Sequence, residues 1–385
     1  MDFNSLKEQL ALESSISLDE KLVRLQNWIY THVSTEFFYI DPPQRAFDDA
    51  CSFVQYYLEV FMPNAGGDIG VPIRYFKGRT ALHMAANMGF DRFLDTHQTL
   101  SPSAINQEDP YGMRPLDLAC LHGKRNTVQI LLRSGADPSL CNAHGLSPLF
   151  QIVTLPILFA PEQRRNKIAL FKMLYKNLPQ ALSQKDDAGN NLLHMVVING
   201  FVELIPLILE ENMQCLYQAN LQHLYPIHVA VLNQQLECSK CLLEHAKVAG
   251  LTDTKRGNAL HFAARYGSDK ILRLCLSYYP DLEAKDYKGR TAFLLAARWG
   301  NVEAMHLLKD KGAQFDNSDD NGLNALHLAV FSQSIAAVKW LLENTSLDVQ
   351  AQTYNKEKAI DFCTMPEQEA IKKLLEADNN RPPAS

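Results

Sequence analysis

A four-residue phrase that sets an apolar residue just before a histidine recurs along the chain, at Thr80-Ala81-Leu82-His83, Asn191-Leu192-Leu193-His194, Tyr225-Pro226-Ile227-His228, Asn258-Ala259-Leu260-His261 and Asn324-Ala325-Leu326-His327. Degenerate copies fill the intervals: Arg114-Pro115-Leu116-Asp117, Ser147-Pro148-Leu149-Phe150, Thr291-Ala292-Phe293-Leu294 and Lys358-Ala359-Ile360-Asp361. Their fourth residues are spaced 33 or 34 positions apart, except for one step of 44 between Phe150 and His194. Small residues follow the histidine slot (Ala85, Ala119, Ala230, Ala263, Ala296, Ala329), and Gly89, Gly123, Gly200, Gly267 and Gly300 come next. This order predicts a first helix that packs closely through its alanines and ends at the glycine. Apolar pairs at helical spacing, as in Val128-Leu131-Leu132, Leu307-Leu308 and Leu341-Leu342, predict a second helix. Ahead of the phrase, Gly78, Gly112, Gly145, Gly189, Gly289 and Gly322 supply a turn of positive φ.

Each helix pair leaves an apolar face that it cannot cover alone, so neighbouring pairs must stack and the core becomes a ribbon along the array. The turn, the Thr-Pro-Leu-His-like phrase, the alanine step and the period together resemble the ankyrin repeat over residues 73–377. The resemblance implies an all-α fold, an ankyrin-repeat α-solenoid of about eight to nine helix-turn-helix units. The long step is expected to carry about eleven extra residues, within Val153 to Arg165, as an insertion in the interhelical loop of the third unit. In the fifth unit His223 and Gln234 replace the two glycines, and distortion is expected there.

Residues 1–62 do not fit the repeat and predict helices of another design. Ser17 and Glu20 form a capping-box pattern, followed at helical spacing by Leu22, Leu25, Trp28, Ile29 and Val33. A further helix carries Phe47, Cys51, Val54, Tyr57 and Leu58. This segment either caps the first repeat or docks a second partner, and residues 63–72, with Gly66, Gly67 and Gly70, form a linker. At the other end Met365 to Ala377 predicts a charged capping helix, and residues 378–385 a disordered tail.

Apolar residues make up 46% of the chain and charged ones 21%, the balance of a folded soluble protein. The net charge of −6 provides no overall field for phosphate backbones, so nucleic acid is not the expected partner. The most apolar stretch, Leu149 to Ala160, contains Gln151 and Pro156 and falls short of a membrane span. The start of the chain lacks the pattern of a secretory signal, and the eight cysteines are too scattered for a disulfide scaffold, so a cytoplasmic protein is expected, and a monomer because a capped solenoid needs no partner subunit to complete its core.

Candidate chemistry is sparse. The periodic His83, His194, His228, His261 and His327 resemble the family's structural histidines, which bond backbone groups between neighbouring turns. Cys238, Cys241 and His245 have zinc-compatible atoms, but a fourth ligand is not evident, and no metal or cofactor is assigned. Cys51 with His32 matches no known nucleophile signature, and Gly66 to Gly70 lacks the lysine of a phosphate loop. The chain is therefore expected not to be an enzyme. A cryptic site in the amino-terminal helices or beside Val153 to Arg165 is the alternative, and a deep polar pocket there would favour it.

In ankyrin arrays the turn tips and the exposed ends of the first helices line a concave binding face. Counting from the histidine slot puts Asn87-Met88, Leu121-His122, Ile198-Asn199, Leu232-Asn233, Arg265-Tyr266, Arg298-Trp299 and Phe331-Ser332 at those helix ends. Trp, Tyr and Arg dominate binding hot spots because they bury much surface while keeping polar contacts. The resemblance therefore implies a protein partner, centred on Arg265, Tyr266, Tyr287, Arg290, Arg298, Trp299 and Phe331. The other reading is that Tyr266 and Trp299 pack sideways onto the next unit, and a third is nucleic-acid binding through Arg265, Arg290 and Arg298. The acidic Glu367, Glu369 and Glu376 before Pro382-Pro383-Ala384-Ser385 resemble the tails of ankyrin effectors that intracellular bacteria deliver into the host cytosol by type IV (Dot/Icm-type) secretion.

Overall fold

The structure, a computed structural model, describes residues 79–96, 101–154, 161–245 and 248–379. The expected helices of 1–62, the linker and residues 380–385 lie outside them, as do Cys51, His32 and the glycines from 66 to 70. The described elements are helical, with isolated bridges in place of strands, and they fall into two compact units divided after Asp187.

The first unit holds α1 (Ala81–Met88), α2 (Asp91–Thr96), the short α3 (Pro102–Ile105), α4 (Pro115–Leu121), α5 (Arg125–Arg133), α6 (Pro148–Ile152) and α7 (Pro161–Leu174). First helices stack on one another, α1 on α4 and α4 on α6, while the second helices α2, α5 and α7 form a parallel layer. The second unit repeats this plan with α8 (Leu192–Ile198), α9 (Ile205–Glu211), α10 (Pro226–Leu232), α11 (Leu236–Leu243), α12 (Ala259–Tyr266), α13 (Asp269–Tyr278), α14 (Ala292–Arg298), α15 (Val302–Asp310), α16 (Ala325–Phe331) and α17 (Ile335–Asn344). Its first helices run α8, α10, α12, α14, α16 in contact order, and Ala259, Ala263, Ala296 and Ala329 are buried between them. A closing unit has only a 3₁₀ turn, Ala359–Phe362, in the first-helix position, followed by α18 (Glu369–Asn379).

The recurring phrase is a helix start. Asn191, Asn258 and Asn324 each accept the backbone N–H of the histidine three residues on, at 3.0 to 3.2 Å, and Thr80 does the same for His83 at 3.3 Å. The cap N–H in turn donates to the histidine Nδ1, so histidine takes the place of the acidic residue of a capping box. The other ring nitrogen is left to donate to the next turn. Nε2 of His83 meets the Gln107 and Met113 carbonyls at 3.0 and 3.1 Å, that of His194 the Leu224 carbonyl at 3.0 Å, and that of His261 the Ala284 and Arg290 carbonyls at 3.1 and 3.2 Å. Burial lowers His83 and His228 to about 4, which keeps the rings neutral as this pairing requires. The family role expected of these histidines is the one observed.

Three sequence expectations change. Of the stretch 153–165, Pro161 to Arg165 are not loop but the opening of α7, which lengthens to 14 residues and absorbs part of the insertion. Asp378 and Asn379 are not tail but the end of α18, the helix that Ile371 and Leu375 anchor in the core. The fifth unit keeps its form: His223 and Gln234 themselves adopt left-handed φ of 59° and 57°. Gln234 offsets that strain by reaching the next repeat, where its Nε2 donates to the Tyr266 carbonyl at 2.7 Å and its Oε1 accepts the Ser268 N–H at 2.8 Å.

Candidate functional site

A second ladder positions the turn tips. Three residues before the left-handed turn residue (a glycine, or His223 and Arg256 in its place), Asp109, Asn142, Asn220, Asp253, Asp286 and Asp319 accept two backbone N–H groups through one oxygen, as Asp286 does from Lys288 and Arg290 at 2.9 Å. With each turn so braced, the tips join through backbone bonds such as Tyr287 N–H to the Lys255 carbonyl, 2.8 Å, and Asp320 N–H to the Lys288 carbonyl, 2.9 Å. Sequence reasoning missed this slot, although an acid or amide at that offset recurs with the period.

Within the second unit this scaffold holds the ends of α12, α14 and α16 in register. The Arg265 guanidinium lies in the corner formed by two rings, 4.2 Å from the centre of Tyr266 on its own repeat and 3.9 Å from that of Trp299 on the next. The two rings are 5.6 Å apart. One repeat further on, Arg298 lies 4.6 Å from the centre of Phe331. The result is a row of rings and cations. Sideways packing of Tyr266 and Trp299 thus does occur, yet the rings stay 42% and 47% exposed and Phe331 53%, because only one face or edge of each is covered.

Tyr287 stands at a turn tip, 43% exposed, with Lys255, Lys288 and Arg290 cations 5.5 to 6.0 Å from its ring. Arg290, the remaining predicted residue, is placed differently. It is largely buried and donates through Nε and Nη2 to Asp286 Oδ2 at 2.9 and 2.6 Å, so its charge is consumed within its own turn. Its Asp286 partner is held below the usual carboxylate range by those bonds and the turn N–H groups, which outweigh its desolvation. Partial burial, the largest influence, pulls both Arg265 and Arg298 below the ordinary arginine value, and Arg290 adds like-charge repulsion to each.

The other helix ends differ. Asn87 and Met88 are buried, and no Phe, Tyr or Trp stands at 121–122, 198–199 or 232–233. Leu221 and Tyr354, 72% and 74% exposed at turn tips, escaped the sequence reading because a single apolar residue in a turn carries no periodic signal.

Cys238 is buried, Cys241 is half-buried, and among the described residues no three His, Cys, Asp or Glu side chains converge as metal ligands. A groove of about 340 Å³ opens beside the third-repeat insertion, lined by Lys124, Arg125, Glu162 and Asn166 among others. Its one hydroxyl, on buried Thr127, donates to Asp91 Oδ1 at 2.6 Å and ties α5 to α2. Among the described residues no helix is long and apolar enough to cross a membrane.

The family model for ankyrin repeats matches three segments, residues 46–142, 193–286 and 260–353, which together cover more than half of the chain. Among curated proteins, the nuclear factor NF-kappa-B p105 subunit of Gallus gallus is 30% identical over 180 residues, 44% of this chain and 18% of that protein. A transient receptor potential cation channel subfamily A member 1 homolog of Caenorhabditis elegans is 28% identical over 196 residues, 50% of this chain and 16% of that protein. Synphilin-1 of Mus musculus is 26% identical over 208 residues, 51% of this chain and 21% of its own length. The chain thus spans about a fifth or less of these relatives.

Proposed function

The chain belongs to the ankyrin-repeat family, and from that premise we propose that it is a protein-interaction scaffold whose partner seats on Arg265, Tyr266, Trp299, Arg298 and Phe331. The observation that carries the reading is the row of exposed rings at the ends of α12, α14 and α16, held in place by two guanidinium groups at the repeat spacing. Rigid aromatic surface of this kind gives up little conformational entropy on binding, which is why Trp, Tyr and Arg dominate hot spots. Tyr287 extends the face at the turn tips, and Arg290 supports it from beneath as a structural residue. No catalytic step is placed on the chain.

Affinity capture from a eukaryotic cell lysate with the intact chain and with an Arg298→Ala, Trp299→Ala variant tests the face. A protein retained by the intact chain and lost from the variant supports it, provided the two melt at the same temperature. An identical captured set removes this face from consideration.

Delivery into a host cell by type IV secretion is a narrower reading, and what supports it is the run of Glu367, Glu369 and Glu376. Glu369 and Glu376 are residues of α18, where Glu369 pairs with Lys373 at 3.9 Å. Loss of delivery in a translocation reporter on deleting residues 379–385 supports the reading, and normal delivery counts against it.

A further inference from the structure

Four arginines among the described residues have a carboxylate partner. Arg79 pairs with Asp109, Arg114 with Glu108, Arg273 with Asp269 and Arg290 with Asp286, at 2.6 to 3.0 Å. Arg265 and Arg298 differ from these: both are half-buried, and neither side chain makes a hydrogen bond or ion pair to the described residues. The Arg265 Nε is buried with no acceptor. A partly desolvated guanidinium without an anion is electrostatically incomplete, and the position of both side chains in the last turn of a helix supplies only the weak partial charge of the helix end.

The surroundings reinforce this. Arg290 and Arg298 both repel Arg265, and no carboxylate acts on it. Asp286 is committed to Arg290 and to two turn N–H groups; Asp319, which accepts the Asn321 and Leu323 N–H groups through Oδ1, attracts Arg298 without hydrogen-bonding it. On a chain of net charge −6, this is a local region of the opposite sign.

Occupancy of the aromatic slot narrows the ligand. Two tilted rings 5.6 Å apart form a corner that suits a cation, but the chain fills it with its own Arg265. A cationic ligand therefore meets a filled corner and like charge. A nucleobase finds one face of Trp299 and of Phe331 already taken by Arg265 and Arg298, which reduces the surface on which it could stack. What stays open is the Nη end of Arg265, whose Nε is buried, and the guanidinium of Arg298, planar N–H donors that match a carboxylate.

We propose that this surface recognises an acidic segment of a partner protein, an extended peptide whose side-chain carboxylates seat on Arg265 and Arg298 while its apolar atoms cover Trp299 and Phe331. The inference rests on the reading of this face as the partner site.

The test is selection of random short peptides displayed on phage against the intact full-length chain, with counter-selection on an Arg265→Gln, Arg298→Gln variant. The expected result is enrichment of Glu- and Asp-rich peptides that the variant does not retain. Synthetic copies with Gln in place of each Glu should bind the intact chain on the order of tenfold more weakly per site, which needs no protein variant and so holds even if the double variant folds poorly. Arg265→Lys, which keeps the charge but not the planar fork, should fall between. Enriched peptides that are basic or neutral yet depend on the two arginines overturn this inference and leave the binding face standing. So does tighter arginine-dependent binding of a single-stranded RNA oligonucleotide. No enrichment, or peptides held equally by both proteins, overturns both.

Discussion

Asp117 sits in the histidine slot of the second repeat, and replacing it with asparagine should reveal what that slot requires. Its carboxylate is fully buried; Oδ2 accepts the Arg114 N–H at 2.9 Å, and Oδ1 has no partner. The task that histidine performs elsewhere, reaching a carbonyl of the next turn, passes to the Arg114 side chain, whose Nη1 donates to the Cys141 carbonyl. Burial raises the Asp117 carboxyl from 3.8 to about 7. A carboxyl raised on folding contributes stability that is fully present below pH 3.8 and is lost as pH rises through the folded value. At about 1.4 kcal/mol per pH unit, the whole loss comes to about 4 kcal/mol, of which about 2.5 falls between pH 5 and pH 8. Asparagine keeps the acceptor for Arg114 N–H and cannot ionise. In urea titrations followed by far-ultraviolet circular dichroism at fixed ionic strength, the stability of Asp117→Asn relative to the parent should therefore rise across that interval and level off above pH 8. A difference that stays constant from pH 5 to pH 8 would refute the reasoning, since it would mean that the carboxylate ionises as freely in the fold as in the unfolded chain.

Acid should act oppositely through the histidines. His83 and His228 are lowered by burial from 6.5 to about 4, so their contribution is present above pH 6.5 and is lost as pH falls toward 4, about 2 kcal/mol each by pH 5. In the Asp117→Asn background a lower urea midpoint at pH 5 than at pH 7 checks this, and an unchanged midpoint contradicts it. Two glutamines with left-handed φ should also respond differently to glycine. Gln333→Gly, whose side chain meets only the Met365 sulfur at 3.9 Å, should stabilise by about 1 kcal/mol. Gln234→Gly forfeits its two bonds to the next repeat and should destabilise by about 1 kcal/mol or more. Thermal melts of the two variants that shift in the same direction would contradict this contrast.

Much of the fold was legible because the repeat writes local structure directly. The Asn or Thr that opens each phrase is a helix cap, the histidine is its reciprocal partner, and the alanines mark the helix face that must lie close to a neighbour. Arg265-Tyr266, Arg298-Trp299 and Phe331 were legible as a surface row for the same reason, since one slot at one period places them on adjacent first helices. Arg290 was misjudged because an arginine in a turn reads as exposed until the Asp286 four residues before it is seen to hold it. Gln234 read as a departure from glycine, and its compensation depends on a carbonyl 32 residues away.

The sequence by itself determined the class of fold, the repeat period and the candidate face, because capping, helix packing and turn conformation act over a few residues and recur in every copy. Only the tertiary structure decided which cations remain without a partner. Whether an arginine meets a carboxylate, a carbonyl or an aromatic ring depends on how the chain is folded around it, which left Arg290 neutralised by Asp286, Arg265 against Tyr266 and Trp299, and Arg298 resting on Phe331.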